Sequence, residues 1–431
     1  MDNSKIEHTY FHSLEIEGIG CFKDKQTLDL SNGANNYAPW TLILGDNGTG
    51  KTTLLKIIDR MQPLVWYAPE SNENSKKYLP AIVNRNLEFW SGDFKPNIFI
   101  DIKITNSKDS QILKFNTQNN KKSPTFPTYR DSMTEIFVLS YGASRRLSKI
   151  NNLSSSNQHK ITTLFDDSLE LINAEEWYFQ KYLNQTNSDK NVANIFAYQL
   201  KSIKKLLVDF LPDISDIRPK EINNVKETSS LEVKLESGEW IALRELSYGY
   251  QTMTALLVDI GSRMMEKYPE SDNPLAEPVI ILIDEIDLHL HPKWQRQIME
   301  QFSKYFPKAQ FIVTSHSPLI VQAAKGMNAN IVVCRKDGDK VFIDNNPEEV
   351  KGWRIDQILI SDLFDLPTVR SNADEEKMSR YYELQAKSER TIQEESELGD
   401  IQKVLKTSFE NEREISETER KINQFLETHL K

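Results

Sequence analysis

The stretch Gly45-Asp46-Asn47-Gly48-Thr49-Gly50-Lys51-Thr52 leaves this chain few folds to choose from. It fits G-x-x-x-x-G-K-[ST], after the apolar run Trp40-Thr41-Leu42-Ile43-Leu44 and before Thr53-Leu54-Leu55-Lys56-Ile57-Ile58. Glycine lacks a Cβ, so the loop can curl until successive N–H groups point inward at a phosphate. A helix starting near Lys51 aims the positive end of its dipole at the same anion. Lys51 then reaches the β- and γ-phosphates, and the Thr52 hydroxyl ligates Mg²⁺. Buried strand, loop and helix in this order predict a nucleoside triphosphate site over Gly45 to Thr53, in an α/β fold. An ordinary glycine-rich turn needs neither flank.

With 431 residues the chain has room for two or three domains. Hydrophobic content of 39% and charged content of 27% describe a soluble globular protein. No apolar stretch is long enough to span a bilayer, and Met1-Asp2-Asn3-Ser4-Lys5 does not read as a signal peptide, so a cytoplasmic protein with no membrane partner is expected. Cys21 and Cys334, far apart in sequence and without C-x-x-C spacing, read as reduced thiols. A net charge of −10 argues against a wholesale nucleic-acid coat but leaves room for a local basic groove.

Along the chain, Phe11 to Ile19 and Gln26 to Leu30 alternate as strands. Trp40 to Leu44 is apolar throughout, as in a strand of a parallel sheet buried on both faces. Ser71 to Lys77 is a polar loop, and Ile98–Ile104 with Gln111–Phe115 read as a hairpin. A patch with Pro124 and Pro127 leads into the strand Glu135–Ser140 and then Tyr141-Gly142-Ala143-Ser144-Arg145-Arg146. From about Phe165 to Leu211 the period is helical, with Lys201, Lys204 and Lys205 on the solvated side. A hairpin turning at Ser237-Gly238 precedes a helix over Met253–Met264, the strand Val279–Ile283, a helix over Pro292–Phe306 and the strand Gln310–Val313. The stretch after Ser371 is glutamate-rich and lacks proline. It carries about half of the net charge of −10 and shows two helical stripes (Leu398, Ile401, Leu405, Phe409; Ile415, Ile422, Phe425, Leu426). Amphipathic helices with an antiparallel hairpin are expected there.

Asp284-Glu285 ends the apolar run Val279–Ile283, where a Walker B pair belongs. Asp284 would hold Mg²⁺, and Glu285 would take a proton from the attacking water. Leu246-Ser247-Tyr248-Gly249-Tyr250-Gln251 supplies a serine hydroxyl and a glycine N–H at a helix start, a second anion cradle. His289-x-His291 lacks a third ligand at metal-site spacing, so zinc is not expected. His316, just past Phe311-Ile312-Val313-Thr314-Ser315, could hydrogen-bond a γ-phosphate and sense its loss.

P-loop, signature, Asp-Glu and histidine in this order resemble the ABC-type ATPases of the RecF/SMC class. Within it, Tyr141–Arg145, Ile286-Asp287-Leu288-His289-Leu290-His291-Pro292 and Gly352-Trp353-Arg354-Ile355-Asp356-Gln357-Ile358-Leu359 look like the PtuA-like ATPases of Septu and retron antiviral defence systems. The resemblance implies an ABC-type (RecF/SMC-like) α/β P-loop ATPase with a helical insertion and a C-terminal helical segment. Its ATPase N-lobe would span 1–150, the insertion 151–230, the C-lobe 231–345 and a partner-docking segment 346–431. It implies ATP and Mg²⁺ as ligands, Glu285 and His316 as catalytic groups, Thr52 and Asp284 as metal ligands, and Asp287 as the D-loop residue. Ser247, Gly249 and Gln251 would act in trans across a head-to-tail dimer, because one protomer of this class cannot close its own site. Two departures stand out: Tyr248-Gly249 replaces the usual glycine pair, and Tyr141–Arg146 offers no glutamine where the Q-loop belongs.

Three functions compete. The resemblance implies a regulatory ATPase gating an HNH-type endonuclease subunit (PtuB-like), with DNA contacted through that partner or a basic groove. In this reading Trp353–Leu366 docks on the ATPase and presents the acidic helices to the nuclease. The alternative is a RecF-like DNA-repair ATPase binding DNA directly. A self-contained ATPase–nuclease needs a further domain with a strand-end carboxylate cluster, and the helical tail shows none.

Overall fold

The computed structural model describes residues 8–33, 36–61, 63–67, 76–80, 98–105, 110–117, 136–147, 163–220, 230–347, 355–359, 364, 372–387 and 390–411. The proline patch at 124–127, Trp353, Leu363 and the stripe from Ile415 to Leu426 lie outside them. The chain forms two compact units, Met1–Asp365 and Leu366–Lys431.

The first unit opens with β1 (Tyr10–Glu17), β2 (Gln26–Asp29), β3 (Trp40–Gly45) and α1 (Lys51–Arg60). Two hairpins follow: β4 (Pro63–Tyr67) with β5 (Lys76–Pro80), and β6 (Ile98–Thr105) with β7 (Ser110–Thr117). Next come β8 (Val138–Tyr141), the short parallel pair β9 (Arg146–Leu147) and β10 (Glu170–Leu171), and helices α2 (Ala174–Asn187) and α3 (Lys190–Phe210). Strands β11 (Ile214–Pro219), β12 (Leu231–Leu235) and β13 (Trp240–Ala242) make a small antiparallel sheet before α4 (Tyr248–Lys267). The unit closes with β14 (Val279–Ile283), α5 (Pro292–Gln295), α6 (Ile298–Tyr305), β15 (Ala309–Thr314), α7 (Pro318–Gly326), β16 (Asn330–Asp337), β17 (Lys340–Asp344) and α8 (Ile355–Leu359).

The central sheet has the order β17-β16-β3-β15-β14-β8, with all neighbours parallel except the β16–β17 edge pair. This is the α/β arrangement expected, and it explains why the strand sequences show no alternation. Leu42, Leu44, Ile281, Ile283, Phe311 and Val313 enter one core, with α3, α4, α6 and α7. Ile43, Ile280, Leu282 and Ile312 point the other way, into a core shared with α1, β1 and β2. Successive side chains leave a strand on opposite faces, so covering both faces requires every position to be apolar. The buried amide of Gln310 ties the central sheet to a second, antiparallel sheet of order β2-β1-β6-β7: Phe11 N donates to its Oε1 at 2.9 Å, and its Nε2 donates to Phe11 O at 2.6 Å.

Two helical expectations change. Helix does not begin at Phe165; it starts after Asn173, whose side chain accepts from the Glu175 and Glu176 amides, and breaks once between α2 and α3. The helix expected over Pro292–Phe306 is two helices, α5 and α6. Trp294 is buried edge-on against Tyr250 at 4.6 Å, and the Gln295 amide donates to Leu290 O at 3.0 Å. Those attachments fix the first turn to α4 and to the loop after β14, and the axis restarts at Ile298. α8 packs on α7 with Ile358 buried in the core.

The second unit contains α9 (Asn372–Ala386) and α10 (Ile392–Asn411), which pack on one another. Arg380 bridges them to Glu397 with two bonds of 2.9 and 3.0 Å, and Leu384 is buried. Among the described residues no helix is long and apolar enough to cross a membrane.

Candidate active site

β3, β8, β14 and β15 run parallel, so the segments that follow them emerge together at one end of the sheet. That end is where open α/β sheets bind ligands. It carries the P-loop after β3, Asp284-Glu285 after β14, His316 after β15, and Arg145 after β8.

The P-loop is curled as its glycines suggest, with φ of +137° at Gly45, +80° at Gly48 and +83° at Gly50. At two of these positions space also excludes a side chain. A Cβ on Gly45 would lie 2.4 Å from Cys334 O, and one on Gly50 would lie 2.6 Å from Cys21 Sγ and 2.7 Å from the Phe22 ring. Both cysteines therefore border the P-loop, and burial raises both thiols, Cys334 to about 12, so neither is a ready thiolate. Asp46, Asn47 and Gly48 are exposed at the tip, while Thr49 is buried and donates to Asp46 O at 2.8 Å. Gly50 precedes α1 without a side-chain cap, so the first-turn N–H groups keep their capacity for an anion. Lys51 is buried, and its Nζ donates to Gly45 O at 2.7 Å and Asp46 O at 2.8 Å. Burial pulls its ammonium below the usual lysine range, while Cys334, Asp284, Glu285 and Asp46 favour the charge. Thr53, half-buried, follows in the first turn.

The Thr52 hydroxyl donates to Asp284 Oδ2 at 2.6 Å. On the other side, Thr314 Oγ1 donates to Asp284 Oδ1 at 2.5 Å and accepts from Glu285 N at 2.7 Å. An alcohol and a carboxylate oxygen side by side are the hard donors Mg²⁺ prefers, so these residues fit that ion. Glu285 has φ +49°, a left-handed backbone that a non-glycine residue adopts at a cost. His316 is exposed, and its backbone N–H lies 3.4 Å from Asp287 Oδ1.

The signature sits at the start of α4. Ser247 occupies the N-cap position but makes no capping bond, and its side chain is exposed. Gly249 is buried against the loop after β14, where a Cβ would meet His289 O at 2.3 Å. Tyr248 meets the His289 ring edge-on at 4.8 Å. Gln251 Nε2 donates to Arg244 O at 3.0 Å and Leu246 O at 2.8 Å, which holds the approach to the helix. His291 Nδ1 caps α5 by accepting from Lys293 N. A buried network anchors the middle of α4: Asp259 accepts from Tyr141 OH at 2.8 Å and from Arg263 Nε at 2.7 Å.

Sequence reading missed two residues. Thr314 ends an apolar strand, and nothing local marks it as the neighbour of Asp284. Arg145 lies within the quoted Tyr141–Arg146 stretch, and it is buried. Its Nη2 donates to Glu285 O at 2.6 Å. Burial pulls its guanidinium down to about 10, against the carboxylates of Asp287, Asp284 and Glu285.

A family model described as "AAA domain, putative AbiEii toxin, Type IV TA system" matches residues 41–322. Septu protein PtuA of Bacillus mycoides (strain KBAB4) is 26% identical over 411 residues, covering 94% of this chain and 52% of that protein. Septu protein PtuA of Bacillus thuringiensis is 26% identical over 395 residues, 89% of each chain. The "Retron Vc95 probable ATPase" of Vibrio cholerae serotype O1 biovar El Tor is 34% identical over 179 residues, 41% of this chain and 31% of that protein. The chain thus spans about half the length of the Bacillus mycoides relative. The matched span takes in the P-loop, the signature, Asp284-Glu285 and His316, and the chain belongs to this AAA-domain family.

Proposed function

We propose that this chain is a Mg²⁺-dependent ATPase that acts in the cytoplasm as the nucleotide-gated subunit of an antiviral defence complex, controlling an HNH-type nuclease. The observation that carries the ATPase reading is Asp284 held between the Thr52 and Thr314 hydroxyls, with the buried Lys51 within electrostatic reach. The P-loop amides and Lys51 bind the phosphates. Thr52 and Asp284 would hold Mg²⁺, which would supply neutralisation of phosphate charge. Glu285 takes the proton of the attacking water, and the exposed imidazole of His316 reaches the γ-phosphate. The signature's contacts run to His289, Arg244 and Leu246 of its own chain, and Ser247 stays exposed. The exposure of Ser247 supports the in-trans role, in which the signature with Ser247 and Gly249 on one protomer meets ATP on the other and hydrolysis dissolves the pair. Similarity to the Septu PtuA proteins supports the defence role. Phosphate release by the wild-type protein and by Lys51→Ala tests the chemistry. A wild-type rate no higher than that of Lys51→Ala overturns it.

A further inference from the structure

Arg145 is a cation in a place where cations are costly. It is 5% exposed, and a buried guanidinium needs partners to offset lost hydration. Its Nη2 donates to the carbonyl of Glu285 at 2.6 Å, and the negative charge of Asp287, Asp284 and Glu285 works against the cost of burying it. The loop that presents it is itself pinned. Gly142 N donates to Thr163 Oγ1 at 3.0 Å, Ser144 Oγ donates to Asp167 Oδ1 at 2.8 Å, and Arg145 N donates to Ala143 O at 3.0 Å. Gly142 also lies so close to this support that a Cβ would come within 2.4 Å of Thr163 O.

At the other end of the Arg145 bond is the strained residue. Glu285 holds φ +49°, and two groups grip it: Thr314 Oγ1 on its N–H at 2.7 Å and Arg145 on its C=O. A left-handed residue without a glycine persists only where its surroundings over-determine it. Glu285 is also among the charges that favour the Lys51 ammonium at the P-loop.

We propose that Arg145 is a positioning residue of the ATPase, holding Glu285 in the left-handed backbone from which its carboxylate faces the phosphate site. It does so from the loop after β8, where the chain has no Q-loop glutamine. The inference rests on the ATPase reading above. Arg145 touches neither nucleotide nor water in this role; it acts through the Glu285 peptide.

The test measures steady-state phosphate release and affinity for a fluorescent ATP analogue in wild type, Lys51→Ala, Arg145→Lys, Arg145→Met and Arg145→Ala. Arg145→Met should lower kcat about 100-fold, the scale of an ångström's misplacement, while the dissociation constant changes less than about threefold. Arg145→Lys keeps the charge but lacks the planar fork, and should recover only part of the loss. Guanidinium ion should restore part of the Arg145→Ala rate where sodium chloride of equal ionic strength does not. The inference is overturned if Arg145→Met or Arg145→Lys turns over at the wild-type rate. It is also overturned if affinity falls in step with kcat and guanidinium restores nothing. If Arg145→Met does not fold, Arg145→Lys carries the comparison. A wild type no faster than Lys51→Ala sinks the ATPase reading and this inference with it, whereas an active wild type matched by Arg145→Met sinks this inference alone.

Discussion

Thr314 Oγ1 donates to Asp284 Oδ1 at 2.5 Å from the neighbouring strand and itself accepts from Glu285 N at 2.7 Å. One side chain on β15 thus sets both the carboxylate and the backbone that follow β14. Thr314→Val keeps the shape and removes both bonds, leaving the half-buried Glu285 N–H and the buried Asp284 carboxylate each short of a partner. The folded state should lose about 1–3 kcal/mol. Phosphate release should fall about tenfold, through the displaced Asp284. Thr314→Ser keeps the hydroxyl and should stay near wild type. Denaturant melts and initial rates for the three proteins check this, and equal stability of Val and wild type would contradict it.

Glu285→Gln keeps the size of the side chain and removes its basicity. ATP binding should persist while turnover drops at least about 100-fold, the usual contribution of a general base. The ATP-bound dimer should accumulate, visible by sizing in ATP. Wild-type turnover in this variant would end its assignment as the base.

If sites are shared, Lys51→Ala and Ser247→Arg should each be inactive alone and recover activity when mixed. A mixed dimer contains one intact pair of P-loop and signature, so a random equimolar mixture should regain about a quarter of the wild-type rate. No recovery at any ratio would remove the main support for head-to-tail pairing.

Deleting residues from Asn372 onward removes α9 and α10 and should leave ATP hydrolysis near wild type. The acidic helices suit a basic partner, through steering more than tight contact. The truncated protein should no longer co-purify with the HNH-type nuclease proposed as its partner or protect cells from phage. A truncation that still binds the nuclease would place the docking surface elsewhere.

His12 predicts the acid response of the fold. Among the described residues neither ring nitrogen has a hydrogen-bond partner. Burial lowers its pKa, with Lys103 adding to the shift and Asp29 opposing it. The unfolded value, about 6.5, therefore lies above the folded one. Between the two the unfolded chain binds more protons, so this contribution is intact above the unfolded pKa and is lost as pH falls through the folded one. His12→Gln should lose less melting temperature than wild type between about pH 7.5 and about pH 5. Identical pH slopes would show that His12 has no part in it.

Local features can be read from the residues alone. The P-loop glycines specify positive φ and therefore the curl, an unbroken apolar run specifies a strand buried on both faces, and Asp284-Glu285 after such a run marks a strand end. Periodicity reports which side chains are buried but not what they are buried against. Only the strand order β3-β15-β14-β8 brings Thr314 beside Asp284, and Arg145 onto the Glu285 carbonyl. The same holds for Cys21 and Cys334, which lie far apart in the sequence yet border the same loop. It holds too for Gly249, whose missing side chain leaves room for His289 O. Each of these contacts joins segments far apart in the chain, and their geometry exists only once the sheet has closed around its two cores.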